Sequence, residues 1–127
     1  PFYAGSSGEP PSNFLADTQA QGEISCPGLN GLSFGNHFGQ AYEAADILVG
    51  IRPEHMTLDT SGQDMAVDLV EQLGGMTYVH LQTSTGERLV VAHVAAEPPL
   101  AGTRTSVRVE KDKAFFFDPR TEARMRP

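Results

Sequence analysis

Basic residues are scarce in the first two-thirds of this 127-residue chain. Residues 1–85 hold ten acids and a single base, Arg52, whereas residues 86–127 hold six acids and eight bases, for a net charge of −7. A phosphate backbone needs a dense Lys/Arg surface, so nucleic acid is excluded as an expected partner. Cysteine is nearly absent: Cys26 stands alone, which rules out an intramolecular disulfide and fits a cytosolic setting best. Long apolar runs are missing too. Ile47–Val49 with Ile51, and Leu89–Ala96 broken by His93, fall far short of the ~20 residues a membrane span needs. The only lysines, Lys111 and Lys113, each follow an acid, and neither ends a glycine-rich loop of the kind that holds nucleotide phosphates. The chain lacks an initiator Met, beginning at Pro1 without the layout of a signal peptide, and reads as part of a longer chain.

What remains is the composition of one globular domain, 39% hydrophobic and 20% charged. Residues 1–40 are rich in Gly, Pro, Ser and Asn and show no sustained period; recurring glycines from Gly22 to Gly39 favour turns and short strands. Ala45–Arg52 has the length of a buried strand and is ended by Pro53. Asp59-Thr60-Ser61-Gly62 is turn chemistry. Met65–Leu73 is ambiguous: Ala66, Val67, Leu69, Val70 and Leu73 fit a helical stripe, while Val67, Leu69 and Leu73 fit one strand face. Met76–Gln82, with Thr77, Val79 and Leu81 on one face, turns at Thr83–Gly86 into the Val-rich Arg88–Val94. Glu97–Gly102 is a loop, Thr105, Val107 and Val109 alternate with polar neighbours, and Ala114–Phe117 is a short aromatic strand. Short strands at this spacing, without a long helix, predict an all-β fold, a small barrel.

Catalytic signals are weak. Gly31-Leu32-Ser33-Phe34-Gly35 matches the nucleophile elbow of α/β-hydrolases, which needs a buried strand before it and a helix after it. Neither is expected, so an esterase built on Ser33 is not. His37, His55, His80 and His93 lie too far apart for a paired metal-ligand motif. Phe115 and Phe117 share one face of a strand and Phe116 takes the other, which suits a core and an interface better than base or sugar stacking.

Val49-Gly50-Ile51-Arg52-Pro53-Glu54-His55-Met56 resembles the VGIRPEHL segment in the C-terminal regulatory domain of the ATP-binding subunits of bacterial ABC importers, most closely the carbohydrate and glycerol-3-phosphate branch. Phe2–Leu15 is similar to that family's FVAGFIGSPPMNFL, Val67–Gly74 to its VELVEPLG, and Phe117–Thr121 to its closing FDPETG. The resemblance implies an OB-like, TOBE-type small β-barrel and makes Met65–Leu73 a strand. It implies a linker remnant over residues 1–20 and a regulatory domain over 21–127. It also implies a twin domain in an ATPase homodimer, the chain's own ATPase domain and a cytoplasmic regulator as partners, and a place at the cytoplasmic face of the inner membrane. No cofactor is implied within this stretch; ATP and Mg would sit in the ATPase domain. Ser6, Ser7 and Ser12 stand where the family has apolar residues, a change expected to weaken docking on that domain. Arg52, Glu54 and His55 are the candidate binding residues. One reading pairs Arg52 with Glu54 to fix the strand exit; the other makes all three part of an interface with a partner subunit or regulator. The alternative function is a stand-alone OB-type module that binds a small cytoplasmic ligand, an oxyanion or a sugar.

Overall fold

The computed structural model describes residues 12–20, 22–35, 47–94 and 97–120, and the backbone of 123–125. The strands are β1 (Asn13–Ala20), β2 (Glu23–Cys26), β3 (Leu32–Gly35), β4 (Ile47–Ile51), β5 (Met56–Asp59), β6 (Met65–Leu73), β7 (Met76–Gln82), β8 (Arg88–His93), β9 (Arg104–Val109), β10 (Phe115–Asp118) and β11 (Ala123–Met125). Single turns of 3-10 helix occupy Pro27–Leu29, Pro53–His55 and Lys111–Lys113, and no α-helix occurs among the described residues. Among the described residues no helix is therefore long and apolar enough to cross a membrane. Ser6, Ser7, His37 and the Phe2–Pro11 part of the resemblance lie outside the described residues.

Two antiparallel sheets carry the fold. One runs β11-β10-β4-β1-β2-β3 and the other β5-β9-β6-β7-β8, with β8 returning against β5 so that the second sheet rolls toward a barrel. The all-β, OB-like expectation holds. Alternation places one side of each strand inward. Leu15, Ile24, Val49 and Ile51 from the first sheet meet Met56, Met65, Val67, Val79, Leu81, Leu89 and Val91 from the second in one core.

The predicted strand Met76–Gln82 is β7, and Val79 and Leu81 are fully buried on its inner face. Met65–Leu73 is a strand, as the resemblance implied, but its faces differ from the sequence reading. The register of β6 on β7 slips between Val67 and Leu69, so Val67 opposes Leu81 in the core whereas Leu69 and Leu73 face outward, 44% and 54% exposed. A bulge of this kind puts two residues of one strand opposite one of its partner and reverses the facing of everything beyond it. Residues 13–20, assigned from sequence to the end of a linker, form β1, paired to β4 from Asn13↔Ile51 to Asp17↔Ile47 and to β2 from Thr18↔Ser25 to Ala20↔Glu23.

Candidate functional site

The VGIRPEH segment ends a core strand and starts a turn. Val49, Gly50 and Ile51 are buried in β4, and Pro53 opens the 3-10 turn, where its missing N–H costs no bond. The His55 N–H donates to the Arg52 carbonyl (3.0 Å), and the Glu110 N–H donates to the His55 carbonyl (3.0 Å), tying the turn to the end of β9. Arg52 and Glu54 point to solvent, while His55 is half-buried with Nδ1 enclosed and without a hydrogen-bond partner. The three predicted residues thus share one short turn. It offers charge and hydrogen bonding at a surface.

Gly50 has a second duty in this segment. The Phe115 ring of β10 lies directly over it, so that a Cβ there would overlap the ring. Phe115 and Phe117 stack edge-to-face at 5.3 Å between centroids, and Phe14 of β1 joins them at 6.1 and 5.4 Å. Phe116 turns the other way, is buried, and meets Phe34 edge-on at 5.6 Å. The split between a core face and an outer face is the one expected from alternation.

Sequence reasoning missed the polar residues that join the two sheets. Asn13 is buried at the start of β1, and its carboxamide copies a strand neighbour for β8. Oδ1 accepts from the Val90 N–H (2.8 Å), while Nδ2 donates to the Val90 carbonyl (2.8 Å) and to the Ile51 carbonyl (3.1 Å). Glu87, in the β7–β8 turn, makes the second bridge. Its Oε2 accepts from the Ala16 N–H (2.8 Å) and its Oε1 from the Thr85 hydroxyl (2.7 Å), while its own N–H donates to the Thr83 hydroxyl (3.1 Å). Gly28 leaves the room this needs, because a Cβ there would collide with Glu87 Oε1.

Beneath that bridge lie Asp17 and Cys26. Asp17 is 5% exposed, and burial raises its pKa to about 7, a rise that the Cys26 thiol opposes by hydrogen bonding and the nearby Glu87 charge adds to. The Cys26 thiol is fully buried, 3.7 Å from the Ala16 carbonyl, and desolvation together with the Asp17 charge raises it to about 12. Such a thiol is inert as a nucleophile.

The other chemical signals resolve into structure. Ser33 sits within β3 and donates to Glu23 (3.1 Å), with no elbow turn beneath it. His80 contacts Glu71 at 2.6 Å on the outer face of the β6–β7 hairpin, between Leu69 and Leu73, and His93 contacts the Glu97 carbonyl at 3.1 Å. Among the described residues no group of His, Cys, Asp and Glu could hold a metal ion.

Comparison with known proteins places these features. The chain is 34% identical to the sn-glycerol-3-phosphate import ATP-binding protein UgpC of Ruegeria pomeroyi, over 98% of this chain and 34% of that protein. It is 32% identical to the protein of the same name from Ruegeria sp. (strain TM1040), with the same coverage. The lactose transport ATP-binding protein LacK of Rhizobium radiobacter is 32% identical over 57% of this chain and 21% of its own length. The chain spans about a third of the length of the two Ruegeria relatives. Residues 49–117, from the middle of β4 to Phe117 of β10, match the TOBE domain. The chain belongs to the TOBE domain family.

Proposed function

We propose that this chain is the regulatory domain of the ATP-binding subunit of an ABC importer for glycerol-3-phosphate or sugars. The carrying observation is the likeness to import ATP-binding proteins across 98% of the chain, together with the TOBE match. In this reading residues 1–20 lead in from an ATPase domain that holds ATP and Mg, with 13–20 built into the fold as β1, and the barrel does no chemistry. It sits at the cytoplasmic face of the inner membrane and contacts its own ATPase domain, a twin regulatory domain and a cytoplasmic regulator. Arg52, Glu54 and His55 belong to one of those interfaces. Contacts of this kind bias the open–closed equilibrium of the ATPase pair only if they differ between its two states.

The test joins the 127 residues to the ATP-binding domain of the Ruegeria pomeroyi relative and assembles it with that transporter's membrane subunits. ATP hydrolysis and association state are measured with the chain, without it, and with Arg52→Ala and Glu54→Gln. Loss of the chain is expected to change coupled hydrolysis several-fold, and the double variant to weaken association with little change in the chain's own unfolding midpoint. Hydrolysis, regulation and association all unchanged on removing the chain would overturn the proposal.

A further inference from the structure

We propose that Asp17 is a proton-binding carboxyl built into the seam between the two sheets, neutral while the seam is closed, and that its ionisation loosens the seam at the Glu87 bridge. The geometry carries this. β1 turns Asn13, Leu15 and Asp17 inward, both Asp17 oxygens are enclosed, and the donor that faces them is the Cys26 thiol, a weak one. An ionised carboxylate with only a weak thiol donor and no counter-charge is costly at such a site, whereas the neutral acid is tolerated.

The surroundings make the charge worse. The ionisable groups facing Asp17 among the described residues are the Cys26 thiol from β2 and the Glu87 carboxylate from the β7–β8 turn. The Pro27–Leu29 turn and β4 contribute no ionisable side chain. On β8, Arg88 is directed to Asp68 (3.7 Å) and His93 to the Glu97 carbonyl, so neither supplies a compensating cation. Glu87 is committed as an acceptor to Ala16 and Thr85, the bonds that hold it in place. Ionised Asp17 and Glu87 then repel across the bridge that begins at Ala16, the residue next to Asp17. The burial that raises Asp17 to about 7 puts this event in the neutral range.

The experiment uses the 127-residue chain labelled with 13C and 15N, the Asp17 side-chain carboxyl carbon being assigned by through-bond correlation to its own backbone. Its shift is followed from pH 3 to 9 alongside amide exchange at Ala16. A carboxyl midpoint at about 7, with Ala16 exchange rising more steeply than intrinsic exchange through that midpoint, is the expected result. Glu87→Gln keeps an acceptor but removes the charge, and should move the midpoint to lower pH. Asp17→Asn should leave Ala16 exchange with intrinsic pH dependence only. A wild-type midpoint in the ordinary carboxylate range near ~4 overturns the proposal. So does an Asp17 that titrates near neutrality while Ala16 exchange follows intrinsic chemistry. Both decisive readings come from the wild-type chain, so a variant that fails to fold leaves the outcome decidable.

Discussion

Asn13 shows how much one side chain can hold. It closes three hydrogen bonds to carbonyls and an amide of two different sheets, and all three are lost together if it is cut back. Leaving buried backbone groups unpaired costs more than the net worth of the bonds they made. Asn13→Ala is therefore expected to destabilise the chain by about 2–4 kcal/mol, read from urea unfolding at neutral pH. Asn13→Asp, nearly the same size, should also destabilise, because it cannot donate to the Ile51 and Val90 carbonyls. An Asp variant as stable as the parent would show that shape rather than the amide matters. The resemblance matches Asn13 to the Asn of FVAGFIGSPPMNFL, but its role is not legible in the sequence, because its partner Val90 lies 77 positions away.

Elements were legible where local chemistry and burial agree. The bounds of β7 are legible because its alternation is unbroken and a Thr-Ser-Thr-Gly turn follows it. β1 escaped notice because two of its inward positions, Asn13 and Asp17, are polar, so no apolar period marks it. β6 looked half helical because its register slips beyond Val67. The slip changes which face the apolar residues take, and a period-2 template fails across it. The β6–β7 hairpin itself closes through Gly74 and Gly75, both at positive φ (59° and 86°), as a two-residue primed turn requires. Gly75→Ala places a Cβ in that region and should cost about 1–2 kcal/mol. Gly74→Asn suits the same turn and should stay within about 0.5 kcal/mol. Thermal unfolding of both variants checks the contrast. Arg52, Glu54 and His55 were brought together as expected simply because they are adjacent in one turn.

At the scale of the whole molecule, two carboxyls among the described residues link stability to pH, with shifts of opposite sign. Asp17 is raised, so the stability it contributes is fully present below its unfolded value of 3.8 and is lost as pH climbs toward about 7. Asp59 is lowered, chiefly by the Ser61 hydroxyl and N–H, so its contribution is present above 3.8 and is lost as pH falls through its folded value. Optimum stability should then lie on the acid side of neutrality, which the self-repulsion of a net charge of −7 reinforces. The urea midpoint is expected to be higher at pH 5 than at pH 8, with the difference much reduced in Asp17→Asn. A wild-type midpoint that rises from pH 5 to pH 8 would contradict this.

The Asn13 carboxamide occupies the outward N–H and C=O of Val90, and β1 occupies the flank of β4. A shortened version starting at residue 21 would lack both. It would bare the flanks of β4 and β2 and the Val90 edge of β8, each a template for adding a strand from another molecule. Anyone trimming this chain for expression should expect polymers or fibres from that version, and monodisperse material only from versions that keep the peptide from Asn13 onward.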